Sequence, residues 1–171
     1  MLFAGGSFGR RASATSDYVL EAVSIAIALV RAGKPGIPVK MVWTREDDMK
    51  GGYYRPMYLH TLRAGLDANG NIAGWQHRIV GQSILTGTAF ESMMVKDGID
   101  MTSVEGASTL PYDIAHLNVE LHSPKPGVPV LWWRSVGSTH TAFSTETFID
   151  ELAFAAGKDP VAYRRPLLAK H

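Results

Sequence analysis

The chain contains no cysteine among its 171 residues. That excludes disulfides, thiolate nucleophiles and any zinc or iron–sulfur centre ligated by cysteines of this chain. Long apolar runs are missing too. The longest, Tyr18 to Val30, is interrupted by Glu21 and Ser24 and falls short of the roughly 20 residues that span a bilayer. Charge is sparse: Lys and Arg number 17 against 16 Asp and Glu, a formal net charge of +1, and charged residues make up 19% of the chain. Soluble domains usually carry about 25%. With neither sign in excess there is no long-range field to draw nucleic acid or an anionic membrane, so any anion site has to be local. Met1 to Ala4 lack the charged and apolar regions of a secretory leader and run straight into glycines, as though the chain began inside a domain.

Apolar residues make up 46% of the sequence, too many for a disordered chain and enough for one domain core. Phe3 to Arg11 reads as an apolar entry, a tight turn through Gly5, Gly6, Ser7, Phe8 and Gly9, and two arginines. A helix follows from Ser16 or Asp17 to Arg31, stopped by Gly33 and Pro35 and apolar on most sides, so burial is expected. Val39 to Trp43 reads as a strand and Thr44 to Asp48 as a loop. Met57 to Leu66 and Ile72 to Gly81 flank Asp67-Ala68-Asn69-Gly70, a hairpin signal. From Gln82 to Leu110 no period is sustained, which predicts a long loop with short helical turns. Ala115 to His122 alternates as a strand. Thr139 or Thr141 could cap a helix reaching Gly157, and Asp159-Pro160 opens another that ends near Leu168. This order predicts an α+β fold, a mixed or antiparallel sheet with helices packed on one face.

Two segments concentrate the residues that bind anions and shape pockets. Glycines let the backbone of Gly5 to Gly9 approach a ligand, and Arg10 and Arg11 could add charge-assisted bonds. The dinucleotide G-x-G-x-x-G fails because Ser7 and Arg10 stand where glycines are needed, and the phosphate loop fails because no Gly-Lys-Ser/Thr follows. The plain alternative is a tight turn beside solvated arginines. The second segment, Trp132 to Thr139, places Arg134 between Trp133 and a glycine turn, an expensive charge to bury without an anionic partner. Its plain alternative is a core strand ending in a helix cap. His116 and His122 share strand parity but lie about 20 Å apart, too far for one metal. His60, His77 and His140 have no recognisable ligand spacing and could meet only through tertiary contact. Glu46, Asp47 and Asp48 read as a solvated loop without calcium-loop spacing. Ser138 and His140 lack a nucleophile elbow, so a serine hydrolase is rejected.

Taken together, Gly5-Gly6-Ser7-Phe8-Gly9-Arg10-Arg11, Pro38 through Trp43-Thr44-Arg45-Glu46-Asp47-Asp48-Met49, and Arg134-Ser135-Val136-Gly137 with Phe143 through Phe148-Ile149-Asp150-Glu151-Leu152-Ala153 resemble the xanthine dehydrogenase and aldehyde oxidase family. The likeness covers essentially the whole chain and lies closer to the branch of the isoquinoline 1-oxidoreductase β subunit and membrane-associated aldehyde dehydrogenases. It implies a molybdopterin-binding large subunit that oxidises an aldehyde or N-heteroaromatic carbon with oxygen from water. The implied cofactor is a molybdenum–pterin, with the cytosine dinucleotide form open. Iron–sulfur clusters would sit only in a partner, a small 2Fe–2S subunit, with a cytochrome as one candidate acceptor.

By position, the resemblance assigns Gly6, Ser7, Phe8 and Gly9 to the cofactor turn, Arg134, Ser135 and Gly137 to the second cofactor motif, and Val136 to the substrate pocket. Val136 stands where relatives often carry an aromatic ring, Ser7 where a third glycine is commonest, and Ala12 where xanthine-specific relatives have an acid. The family's glutamate base falls outside this chain, so no glutamate here is assigned as catalytic. The implied unit is a single partial domain over 1–171, truncated at both ends and completed by the remainder of the large subunit. The branch points to the bacterial periplasm or membrane association, and a cytoplasmic setting stays open. The rivals are a non-catalytic binding or assembly module and a metal-dependent hydrolase using His60, His116 or Glu46.

Overall fold

The computed structural model describes residues 5–13 and 15–168, so the expected apolar entry at Phe3 and Ala4 lies outside the described residues. The elements are helix α1 (Asp17–Arg31), α2 (Arg45–Lys50), strand β1 (Tyr58–Leu66), β2 (Ile72–Gly81), α3 (Glu91–Met94), β3 (Val95–Lys96), β4 (Ile99–Asp100), α4 (Met101–Val104), β5 (Leu117–His122), α5 (Ser138–Ala155) and α6 (Pro160–Leu167). The fold is α+β. Its main sheet has the order β1-β2-β5, antiparallel between β1 and β2 and parallel between β2 and β5, so the sheet is mixed.

The β1–β2 hairpin forms where the sequence signals it. Gly70 takes φ +76°, and the Asp67 carboxylate accepts from the backbone N–H groups of Asn69 and Asn71, both at 2.8 Å. One face of the sheet is apolar. Leu62, Ala64, Leu66, Ile72 and Trp75 pack on Ile149, Leu152 and Ala153 of α5. A second cluster joins Ile79, Val119 and Leu121 to Val104 and Ala107 beside α4. The opposite face is polar, with Arg78 bonded to Glu120 across β2 and β5 at 2.7 Å. Residues at alternate positions therefore sort by environment.

Between β2 and β5 the expected loop carries short helical turns, α3 and α4, and adds the two-residue strands β3 and β4. They are organised by buried Asp100, which accepts from Ser83 Oγ at 2.6 Å and from the Thr102 N–H at 2.8 Å. Asp159 caps α6 through the N–H groups of Val161 and Ala162, as the sequence predicts.

Four expectations are corrected. Val39–Trp43 forms no strand among the described residues, because no partner strand lies beside it there. Thr44–Asp48 is not a loop: Thr44 and Asp47 close a capping box and α2 begins. The start of α5 is not capped by Thr139 or Thr141, since its N-cap is Gly137 with no side-chain cap bond. Finally, α1 carries no buried residue. Most of its apolar side chains are exposed, with Ala22, Ala26 and Leu29 half-buried, and polar bonds join Arg10 to Asp17 at 2.6 Å and Trp43 Nε1 to Glu21 at 2.8 Å.

Candidate cofactor and substrate site

The two segments singled out by sequence lie far apart in the chain and meet in space. The Arg134 N–H donates to the Phe8 carbonyl at 2.8 Å, and the Arg134 guanidinium lies over the Phe8 ring at 5.6 Å. Gly9 takes φ +96°, and a Cβ there would meet the Trp133 backbone at 3.1 Å. Glycine is required on both counts. Gly6 and Ser7 precede this contact and line the cleft beside it.

Backbone strain is concentrated here. Phe8 has φ +51°, Ser135 +72° and Val136 +39°. A β-branched residue in the left-handed region costs about 1–3 kcal/mol and persists only where its surroundings hold it. The surroundings are visible. The Gly137 N–H donates to Glu105 Oε2 at 3.1 Å, and a Cβ on Gly137 would overlap the Thr102 carbonyl and the Glu105 side chain. Arg55 donates through Nη1 to the Arg134 carbonyl at 3.3 Å and to Thr139 Oγ1 at 2.7 Å. Arg55 and Glu105 brace the turn, and nothing in the sequence patterns pointed to either.

Three hollows adjoin the paired motifs. A cleft of about 440 Å³ is bounded by Gly6, Ser7, Arg10, Arg11, Trp43 and Asp48. In it Arg10 gives Nη2 to Asp17, while Nη1 is buried without a partner among the described residues. A buried guanidinium nitrogen left unpaired is costly and suits an anion. An apolar cavity of about 320 Å³ holds Ala12, Ile84, Phe90, Met93, Trp132 and Val136. The third, about 430 Å³, joins Val136 and Gly137 to Trp133, Phe143, His60 and His140.

That third cavity exposes a cluster whose assembly was not evident in the sequence. His60 Nδ1 lies 2.8 Å from His77 Nε2, and His60 Nε2 lies 3.2 Å from His140 Nδ1. Burial, followed by repulsion from neighbouring imidazoles, pushes His77 and His140 down to about 4, and burial lowers His60. The parity of β1 and β2, with Leu62 opposite His77, could have paired His60 with His77. The arrival of His140 from α5 could not be read that way. His116 precedes β5 and Glu46 lies on α2, apart from this cluster. Among the described residues, no group of three or more His, Asp or Glu is arranged to hold a metal ion.

A fold pairing a glycine turn with an arginine turn beside a cationic cleft narrows the class of protein, and comparison supplies the family. The sequence model of the molybdopterin cofactor-binding domain matches residues 2–167, and the chain belongs to that family. It is 31% identical to a nicotinate dehydrogenase subunit of Pseudomonas putida, a match covering 94% of this chain and 13% of that protein. Membrane-bound aldehyde dehydrogenase (pyrroloquinoline-quinone) of Gluconacetobacter polyoxogenes is 29% identical over 96% of this chain and 21% of its own length. The β subunit of isoquinoline 1-oxidoreductase of Brevundimonas diminuta is 26% identical over 94% of this chain and 20% of its own length. The chain thus spans about a fifth or less of these relatives, and it belongs to an oxidoreductase family. Among the described residues, no helix is long and apolar enough to cross a membrane.

Proposed function

We propose that this chain forms one wall of the molybdenum–pterin site in the large subunit of a molybdenum hydroxylase, as a partial domain completed by the remainder of that subunit. The observation that carries the reading is the Phe8–Arg134 junction: two distant motifs joined backbone to backbone, both with left-handed residues, beside a cleft with an Arg10 nitrogen that has no partner among the described residues. These residues fit the group. Arg10 and Arg11 supply positive charge for its phosphate, and Gly6, Ser7 and Gly9 let the backbone approach it. Arg134 adds a third cation, while Ser135 and Gly137 hold the turn that faces the group.

When bound, the cofactor supplies two-electron oxidation of an aldehyde or electron-poor N-heteroaromatic carbon with oxygen taken from water. The chain's own part is to position. Ala12 and Val136 line the apolar cavity, which favours a ring without the acidic contact that a purine would use and excludes water from the reacting carbon. No residue of this chain is assigned as the catalytic base. A small 2Fe–2S subunit would take the electrons, with a cytochrome as a suitable final acceptor; this chain itself has no cysteine to ligate a cluster. The cytosine dinucleotide form of the pterin and a periplasmic or membrane-associated setting are part of the same proposal.

The test is molybdenum and pterin analysis of the full-length subunit, coexpressed with its genomic neighbours under molybdate-replete conditions. Arg134→Ala is expected to lower molybdenum occupancy about tenfold, the worth of a charge-assisted contact. Full occupancy in the variant overturns the role of Arg134. Wild-type complex containing neither molybdenum nor pterin overturns the reading and favours an assembly module. A bound quinone in place of pterin overturns the cofactor.

A further inference from the structure

His140, His60 and His77 come from α5, β1 and β2 and form an unbranched chain of imidazoles, with nitrogen separations of 3.2 and 2.8 Å. A metal ion would need three lone pairs converging on one point. His60 instead presents different nitrogens to its two neighbours, so the trio is a chain rather than a cage. Each neutral imidazole carries one hydrogen, and three hydrogens pointing the same way along the chain satisfy both contacts. One end then offers a lone pair and the other an N–H. Those ends are His140 Nε2 and His77 Nδ1, both buried and both without a partner among the described residues.

Among the described residues these ends meet no carbonyl or hydroxyl. Two of the three rings, His60 and His140, line the cavity that also holds Val136 and Gly137. The outer ring is held still, since Tyr58 stacks on His140 at 3.6 Å and 12°. His77, on β2, is fully buried.

We propose that His140, His60 and His77 are a transient proton store for chemistry at the Val136 turn, with His140 Nε2 as the receiving atom. The inference rests on the hydroxylase reading, in which a C–H carbon and water become a hydroxylated product, two electrons pass to the acceptor and two protons are released. The store takes one of those protons. It bonds to His140 Nε2. The His140 Nδ1–H bond breaks as His60 Nε2 gains a hydrogen, and the His60 Nδ1–H bond breaks as His77 Nε2 gains one. His77 then holds both hydrogens and the charge, two hops from the cavity, and no group in the chain is oxidised or reduced. The proton returns by the same path and leaves through the cavity mouth. Because burial and mutual repulsion hold the outer rings at about 4, the stored charge is short-lived and the chain empties between turnovers.

The test uses the full-length subunit. In cofactor-free protein labelled with 15N-histidine, two-bond nitrogen–nitrogen couplings are expected between His77 and His60 and between His60 and His140, and no coupling overturns the chain. In the loaded complex, His60→Gln keeps one donor and one acceptor but cannot carry the charge. It is expected to retain molybdenum and pterin, leave KM unchanged and lower kcat about tenfold or more, and to turn a curved proton inventory linear. His60→Gly should regain rate with added imidazole. His60→Gln with wild-type kcat and proton inventory overturns the store and leaves a structural network. Stoichiometric zinc binding abolished by His60→Gln overturns it in favour of a metal site. Should the wild-type complex lack cofactor, the hydroxylase reading fails alone, and the nitrogen couplings still decide the chain.

Discussion

The two parts of this molecule bury their apolar residues to very different degrees. From Tyr58 to Leu167, sheet and helices enclose two clusters in which Ile79, Ile149 and Ala153 have no exposed surface. From Gly5 to Met57 the sequence is just as apolar, yet Leu20 is 58% exposed and Val30 57%. Helix α1 shows the contrast best. It has the composition of a buried helix, yet it carries no buried residue, and polar bonds join it to Arg10 and Trp43. The hydrophobic effect gives such a helix no reason to exist as a free surface. A segment shaped for burial, in a chain that spans 13% of one long relative, is a segment whose covering belongs to the rest of the large subunit under the proposed reading. The glycine turn leads directly into that helix, whereas the arginine turn leads into α5 of the packed part. The junction of Phe8 and Arg134 therefore joins a region that holds its own shape to one that needs support.

The sharpest way to break this comparison is to remove equivalent volume from each part. Ile149→Ala is expected to lower the unfolding free energy of the chain by about 2–5 kcal/mol, because it empties a closed core position. Val23→Ala on α1, 49% exposed, should change it by less than about 0.5 kcal/mol. Urea unfolding of both variants checks the pair. Equal losses would mean that α1 is packed after all. Repeating Val23→Ala in the full-length subunit sharpens the point, since a larger loss there would show that the helix is covered in the complete protein.

A second difference concerns charge inside the packed part. His77 and His140 titrate near 6.5 when unfolded and at about 4 when folded. Between those values the unfolded chain binds more protons, so stability rises with pH across that window and is lost as pH falls from about 6.5 toward 4. The expected loss is on the order of 3 kcal/mol, less than the sum for two independent groups because the rings interact. Carboxylates such as Asp17 and Glu120, whose values are lowered, lose their contribution at more acidic pH, so the histidine window stands apart. Unfolding measured from pH 7 to 4 should show this slope, and His77→Leu should flatten it. A flat wild-type profile would rule out buried neutral imidazoles.

The packed part was also the more legible one. Its hairpin rests on local chemistry, Asp67 and Gly70, and its inward residues follow the strand period, so β1, β2 and β5 could be read almost to their ends. Likewise Asp159 and Pro160 mark the start of α6 within a few residues of chain. What could not be read depends on partners distant in sequence. Val39–Trp43 has the composition of a strand, but a strand needs a neighbour, and composition does not supply one. The apolar stripe of α1 reports a demand for burial without saying what meets it. In the site, the glycine and arginine motifs were visible because their backbone demands are written in Gly9 and Gly137. Arg55, Glu105 and the meeting of His60, His77 and His140 were not, since each arises from tertiary contact between ordinary-looking positions.

Helix starts offer the finest version of the comparison. Asp159 accepts from two backbone N–H groups at the start of α6, so Asp159→Ala is expected to cost about 1 kcal/mol. Ser16 stands at the corresponding position of α1 with φ +50° and no side-chain cap bond. A left-handed backbone costs a serine about 1 kcal/mol that glycine avoids, while glycine loses somewhat more chain entropy on folding. Ser16→Gly should therefore leave stability unchanged or raise it by a few tenths of a kcal/mol, although serine is ordinarily the better cap. Thermal unfolding of the two variants measures opposite or at least unequal signs. If Ser16→Gly instead costs as much as Asp159→Ala, then Ser16 is a working cap, and the start of α1 is as well anchored as that of α6.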